Sequence, residues 1–484
     1  MVADRADFLH WRAEPVSAVE ALSERLLRRG DSAIVDFGRH LTGHFGFAIA
    51  GEGRGVDAPT RLKLTFGEVP AEVAEPLDPY TGALSRAWLQ DEVINIDVLP
   101  ASIELPRRYA FRYVKVDVID TSPNYAVRIG QMKATAQSSA GGDPPSLPDT
   151  VPALLRQVDR ISVATLRDCM QPVFEDCPKR DRRLWIGDLR LQALTNYATF
   201  HNNDLVRRCL YLFAAFPRED GLVPACVFED PEPHRGHGYI IDYAALYAAA
   251  VLDYAKATGD WKTAADLWPA VRKQMELLSA HVGPDGIFAA PAHSWVFIDW
   301  SNALERSAAM HGVFVFCLRR AAELARRCGA EGDAAKYEHL TARMATAARD
   351  AFYDASQKVF VSGPKRQVSW ASQAWMTLSG VATNEEAAQA FHEVAAAGSA
   401  VRPGAPYLYH YVAEAMLRCG LRQEARQLVE TYWGGMVKAG ADTFWEVYDP
   451  SNADLSPYGS TLVNSYCHAW SCTPAYLLRS LNMA

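Results

Sequence analysis

The chain has 484 residues, enough for two or three domains, and 49% of them are hydrophobic. With 22% charged residues and 12 tryptophans, this composition excludes a disordered, collagen-like or coiled-coil chain. The formal net charge of −8 gives no general attraction to nucleic acid or to an anionic membrane. The composition therefore indicates a soluble globular protein with neither kind of partner.

The N-terminus and the cysteines bear on location. The first fifteen residues lack the apolar core of a signal peptide, and no apolar run is long enough to span a bilayer. The nine cysteines are scattered without a Cys-x-x-Cys pair, which favours buried free thiols in a reducing compartment. We expect a cytoplasmic protein, with a mature periplasmic form as the alternative.

The N-terminal third changes from helical to strand-like patterns. Residues 1–30 form a predicted helical lead-in, because Val16–Arg29 is rich in Leu and Arg and follows a capping pattern. Residues 31–137 contain short apolar runs separated by turn residues, and Leu62–Phe66 alternates with period two. These runs predict an antiparallel β-sandwich.

Helical periodicity dominates the rest of the chain. Residues 138–158 begin with a stretch rich in Ser, Gly and Pro and are predicted to be a linker. Residues 159–484 support about a dozen helices, the last over Leu462–Leu481, with no strands alternating between them. This pattern argues against parallel-sheet folds, and the absence of a fixed repeat argues against a solenoid. We therefore predict an (α/α)6 toroid, a closed double ring of six helical hairpins.

The most informative stretch spans residues 176–188 and contains Asp176, Asp181 and Asp188 among arginines and a tryptophan. Arginines beside carboxylates keep them ionised, whereas an indole beside a carboxyl favours the protonated form that a general acid requires. The alternative is a solvated loop in which Asp188 caps a helix. A solvated loop has no need of Cys-Pro, Trp and Ile among its charges, so a functional site is favoured.

Three further clusters combine carboxylates or histidine with aromatic residues. Residues 442–448 place Glu446 among aromatics, as sugar sites do, although a turn facing water is the alternative. Residues 293–300 end in another such cluster, for which a buried strand or helix edge is the alternative. For His468, the alternative is a core position in the last helix. Because the clusters recur at hairpin intervals, we expect them to share one mouth of the toroid.

Common cofactor and metal motifs are absent from the sequence. It contains no dinucleotide or phosphate-binding glycine motif, no zinc-protease motif and no serine-hydrolase elbow. His234 and His237 have no matching carboxylate partner in sequence. We predict neither a cofactor nor a metal.

Taken together, the motifs resemble a known family. Asp-Cys-Pro-x-Arg-Asp at 176–181, Trp-x-Gly-Asp at 185–188 and Thr-x-Trp-Glu at 443–446 are similar to the catalytic signature of bacterial α-L-rhamnosidases of glycoside hydrolase family 78. The resemblance is collinear over roughly residues 30–480 and implies a β-sandwich followed by a six-hairpin toroid. One departure is Arg182, which stands where many members have glutamate.

The resemblance also implies a role for each site residue. Asp181 takes the place of the general acid and Glu446 that of the general base, in a family that inverts configuration. Their carboxyl groups should then lie roughly 6.5–9.5 Å apart, leaving room for a water molecule. The remaining predicted substrate-binding residues are Asp176, Arg180, Trp185, Asp188, Asp299, Trp300, Trp445 and His468.

The resulting expectation is an inverting exo-glycoside hydrolase that releases terminal α-L-rhamnose from a glycoside or oligosaccharide. One alternative is a toroid that acts on another deoxysugar or on a uronic-acid-containing glycan. A second is a carbohydrate-binding protein without catalysis. The sequence does not determine the leaving group, the linkage or the oligomeric state.

Overall fold

The computed structural model describes residues 1–4, 7–481 and 483, and its N-terminal part is one antiparallel β domain. Its six main strands are β1 (Ser32–Gly53), β2 (Thr60–Gly67), β3 (Asp91–Ile96), β4 (Ala101–Glu104), β5 (Tyr109–Asp120) and β6 (Tyr125–Ala136). Strand order is β3-β2-β5-β1-β4, and β6 pairs with the other edge of the long β1. Because β1 pairs with three strands, the sheet curves around a core that includes Phe45, Leu64 and Phe111. The predicted N-terminal antiparallel β domain is confirmed.

The lead-in is less helical than predicted. Short strands Val2–Ala3 and Trp11–Arg12 pair with each other, and the helix expected over Val16–Arg29 covers only Glu20–Glu24. This helix buries none of its residues, and Val16 is 98% exposed. Helices in proteins depend mainly on packing of an apolar face, so five residues are all that persist here.

The second domain is a ring of twelve described helices. Six inner helices contact one another in sequence order, and the last contacts the first, which closes the ring. The inner helix Ile241–Thr258 is buried on nearly all sides, whereas outer helices bury one face. The predicted (α/α)6 toroid is confirmed. The helices are α1 (Ala153–Cys169), α3 (Asn203–Ala215), α5 (Trp261–Ser279), α7 (Glu331–Phe352), α9 (Asn384–Ala396) and α11 (Arg422–Lys438) outside, and α2 (Ile186–Ala198), α4 (Ile241–Thr258), α6 (Ser307–Arg327), α8 (Trp370–Leu378), α10 (Pro406–Arg418) and α12 (Pro474–Ser480) inside.

Two helix boundaries differ from the prediction. Helix α1 begins at Ala153, inside the predicted linker 138–158, because Leu155 and Val158 are already buried against the toroid. The predicted helix Leu462–Leu481 is wrong, since only short 3-10 turns and α12 occupy it. The loop before α12 instead pairs its backbone with other loops: the His468 N–H donates to the Phe444 carbonyl.

The described helices and the cysteines bear on location. None of these helices combines the length and the apolarity that a bilayer-spanning segment requires. All nine cysteines are free thiols, and seven of them are buried.

Close helix packing inside the ring gives a stability prediction. A Cβ on Gly312 of α6 would lie 2.9 Å from backbone atoms of Trp375 in α8, so Gly312→Ala should overpack the ring and lower the free energy of unfolding by about 1–3 kcal/mol. Gly332→Ala on the outer helix α7 is the matched control, because nothing lies within 4 Å of its Cβ position. Calorimetric midpoints measure both variants. Equal midpoints would contradict the close approach.

Candidate active site

One pocket opens at the end of the toroid where the inner helices begin. Its walls come from the loops that precede α2, α4, α6 and α12 and from the first turns of α2 and α4. The space open to the centre of a water molecule is about 50 Å³, so this is a narrow pocket rather than a long groove. Its lining residues are Asp176, Arg180, Asp181, Trp185, Asp188, Ile240, Tyr243, Trp295, Phe297, Trp300, Glu446, Tyr458, His468 and Trp470.

Eight of the ten residues singled out in the sequence line this pocket, and Asp299 and Trp445 do not. Asp299 lies behind the wall, where it accepts a hydrogen bond from the Gly404 N–H and where burial raises its pKa to about 7. Trp445 is buried and stacks on Phe8 at 5.6 Å between ring centroids. Both residues support the pocket from outside.

The floor of the pocket is a buried ion pair between Arg180 and Glu446, which lie 266 residues apart. The Arg180 guanidinium donates to Glu446 Oε2 and to the Val463 carbonyl, and it stacks on the Tyr458 ring. The Tyr458 hydroxyl donates to Glu446 Oε1. Burial alone would raise the pKa of Glu446, but Arg180, His468 and Tyr458 lower it, so this carboxylate is ionised.

Asp181 lies at the solvent end of the same pocket. Its side chain is 19% exposed, compared with 2% for Glu446, and its Oδ1 is 3.7 Å from Arg180 Nη1. Asp181 and Arg182 both adopt left-handed backbone conformations, with φ of 57° and 52°, which side chains other than glycine rarely take. Such conformations persist only where surrounding contacts hold them.

Arg182 provides those contacts. Its guanidinium donates to the carbonyls of Pro178 and Arg108, each at 2.9 Å, so its side chain turns away from the pocket toward the β domain. Arg182, which stands where many members of the resembled family have glutamate, therefore stabilises the loop that carries Asp181. It does not line the pocket.

Asp176, Asp188 and His468 form a polar wall. Burial raises the pKa of both carboxyls, and the neighbouring Asp181 and Asp188 raise that of Asp176 further. Asp188 Oδ2 accepts from the Tyr243 hydroxyl at 3.4 Å, and Asp188 Oδ1 lies 3.3 Å from His468 Nε2 without hydrogen-bond geometry. His468 Nδ1 has no hydrogen-bond partner among the described residues. Unpaired polar atoms in a pocket wall are expected where a ligand supplies the partner.

An aromatic wall adjoins these groups, since the centroid of the Trp470 ring lies 4.2 Å from that of the His468 ring. Trp300 meets Phe297 edge to face at 5.2 Å between ring centroids, and Phe297 stacks on Trp470 at 5.8 Å. Trp185 extends this wall at the start of α2, where it pairs with Cys226 in a short strand. A pocket that combines aromatic rings with hydrogen-bonding groups suits a sugar that carries an apolar substituent.

The β domain supports the site from behind and provides no lining residue among those described. Lys179, next to Arg180, is buried and pairs with Glu72 and, at 3.2 Å, with Glu68. His40 lies between Glu68 and Asp168 of α1. Sequence reasoning missed these groups, because the residues that pair with Lys179 lie more than 100 positions upstream.

Within the described part of the chain, two groups of His, Cys and Asp are close enough to hold a metal ion. In the first, Asp168 and Glu68 occupy both ring nitrogens of His40, which leaves no lone pair for a cation. In the second, beside His468, the Cys177 thiol donates to Asp176 and to the Arg180 carbonyl, and burial raises its pKa. A protonated thiol is a poor metal ligand.

Both domains of the chain match profiles of known families. A profile of the bacterial alpha-L-rhamnosidase six-hairpin glycosidase domain matches residues 149–481, and one of the glycosyl hydrolase family 78 alpha-rhamnosidase N-terminal domain matches residues 1–136. The chain belongs to the bacterial alpha-L-rhamnosidase family. It is therefore a glycoside hydrolase. A search of curated proteins finds no match.

Solved structures of this family are similar in fold. A rhamnosidase from Klebsiella oxytoca, solved with rhamnose bound, is 47% identical over 99% of this chain and 93% of its own, with a TM-score of 0.97. A family 78 rhamnosidase of Bacillus sp. GL1 is 24% identical over 92% of this chain and 46% of its own, with a TM-score of 0.77. A Streptomyces avermitilis enzyme complexed with L-rhamnose is 18% identical over 94% of this chain and 43% of its own, with a TM-score of 0.67.

The buried contacts of Lys179 give a second stability prediction. Lys179→Met leaves Glu68 and Glu72 buried without their cation, so we expect the free energy of unfolding to fall by about 3–5 kcal/mol. Lys133→Met is the control, because its pair with Glu104 is more than half exposed and such pairs contribute about 1 kcal/mol or less. Urea unfolding followed by tryptophan fluorescence measures both. Equal effects would contradict a structural role for Lys179.

Proposed function

We propose that the protein is an inverting, exo-acting hydrolase that releases terminal α-L-rhamnose from a glycoside or oligosaccharide. Asp181 is the general acid and Glu446 the general base. The supporting observation is that these two carboxyl groups line one narrow pocket, one at its solvent end and one at its floor. The 47% identity to a rhamnosidase solved with rhamnose bound supports this choice of sugar.

Glu446 suits the base because Arg180 and Tyr458 keep it ionised inside the pocket. An ionised carboxylate accepts a proton from water as the water attacks the anomeric carbon. Glu446 is so enclosed that only a small molecule such as water can reach it. The attack then comes from the floor of the pocket, on the face of the sugar opposite the leaving group.

Asp181 suits the acid because its side chain reaches the open end, where a leaving group can depart. Its proton goes to the glycosidic oxygen as the bond to the anomeric carbon breaks. Asp176 is the competing candidate, since burial and its neighbours raise its pKa and hold it protonated. It is enclosed, however, and accepts a hydrogen bond from the Arg183 N–H, a position better suited to holding a sugar hydroxyl.

Substrate recognition follows from the two walls. Trp185 and Trp300 would contact the C6 methyl of a 6-deoxy sugar, while Asp176, Asp188 and His468 would bind its hydroxyls. A pocket this narrow favours one terminal sugar over the interior of a chain, which supports exo action. The predicted substrate roles of Asp299 and Trp445 are not retained, because neither residue lines the pocket.

The acid assignment makes a prediction about leaving groups. Asp181→Asn should lower kcat/KM about 10²–10⁴-fold for alkyl α-L-rhamnosides, but much less for 2,4-dinitrophenyl α-L-rhamnoside, whose leaving group needs no proton. Asp176→Asn should affect both substrates equally, because a sugar contact is independent of the leaving group. The reverse pattern would assign the acid to Asp176.

The stereochemical course is tested directly by proton NMR. For an inverting hydrolase, the first product signal from 4-nitrophenyl α-L-rhamnoside is β-L-rhamnose, and the α anomer appears later by mutarotation. Glu446→Gln should abolish this turnover. It should also lower the unfolding midpoint, because it leaves the buried Arg180 without its carboxylate, so activity is measured at a temperature where circular dichroism shows the variant folded. Initial formation of α-L-rhamnose would exclude inversion. Turnover of another aryl glycoside in place of the rhamnoside would exclude rhamnose as the substrate.

A further inference from the structure

We propose that Trp295 forms a binding subsite for the leaving group and that this subsite takes a ring with a flat apolar face, an aryl group or a second pyranose. This inference rests on the proposed function and names the substrate class more closely. Trp295 was noted in the sequence only as part of the cluster 293–300 and received no role there.

The first observation is the exposure of Trp295. Its residue surface is 44% exposed, the largest value for any tryptophan among the described residues, yet the same side chain lines the pocket. Trp185 and Trp300, which line the sugar end, are half-buried. A large indole held open to solvent at the mouth of a pocket is typical of a surface that a ligand covers.

The second observation is that the backbone beneath the indole is well fixed. The Trp295 carbonyl accepts the Ile241 N–H at 2.9 Å, at the start of α4. Two residues further, the Phe297 N–H donates to the buried Asp242 at 2.8 Å, and the Phe297 ring contacts the indole edge to face. A platform that is already positioned loses little conformational entropy when it stacks on a ligand.

The third observation is the direction of the pocket. Exposure increases from Glu446 at the floor to Asp181 near the mouth, so the group that Asp181 protonates must lie on the solvent side. Trp295 lines the same small pocket and is exposed, whereas Asp181 is half-buried, which places the indole at the mouth. The indole face can therefore stack on a ring there, and an indole N–H can donate to a hydroxyl on that ring.

The test compares leaving groups with and without a ring. Substrates are 4-nitrophenyl α-L-rhamnoside, a rhamnosyl-glucose disaccharide and α-L-rhamnosyl fluoride, whose leaving group has no ring. Trp295→Ala should lower kcat/KM about 10-fold for the ring-bearing substrates and less than about 2-fold for the fluoride. Trp295→Phe should recover part of the loss. Tyr211→Ala, at another exposed aromatic on the outer helix α3, is the control and should change none of these values.

The outcomes separate this inference from the proposed function. An equal loss on all three substrates would place Trp295 in the sugar subsite and overturn the inference, as would no loss on any of them. A loss confined to the aryl glycoside or to the disaccharide would assign the subsite to that kind of ring. If the wild-type protein hydrolysed no α-L-rhamnoside, the proposed function would fail and this inference with it.

Discussion

The buried ion pair between Arg180 and Glu446 is the interaction on which the site depends. Two charges inside a protein are tolerated only when each is paired and its remaining hydrogen bonds are made, and Tyr458 and the Val463 carbonyl complete this requirement. The pair joins the loop before α2 to the loop before α12, where the ring of inner helices closes. The same contacts therefore form the floor of the pocket and close the ring of inner helices.

Buried charged residues behind the pocket connect it to the β domain. They explain how this domain supports the site although none of its described residues lines the pocket. Lys179 forms ion pairs with Glu68 and Glu72, which precede it in the sequence, while its neighbour Arg180 pairs with Glu446, which follows it. Arg182 adds a contact to the β domain at Arg108. The loop is held from both sides, which is the condition for keeping Asp181 in an unfavourable backbone conformation.

The architecture could be predicted from the sequence because helical periodicity over some 300 residues is a strong signal, and the collinear motifs resembled one family. The failures were local. Val16–Arg29 has a helical pattern, but at Leu27 the chain pairs its backbone with Val127 of β6 instead, and the loop before α12 finds backbone partners in distant loops. Trp445 lay beside Glu446 in sequence but points into the core. The partners of Lys179 depend on domain packing that spacing along the chain does not encode.

The order in which the pocket is assembled has a consequence for biosynthesis. Its walls need loops that follow one another along the chain, and the loop that brings Glu446 and His468 comes just before the last inner helix, α12. A ribosome-bound nascent chain therefore exposes Asp181 long before Glu446 and His468 have been synthesised. The pocket is complete only after residues 442–480 have emerged and docked against the earlier loops.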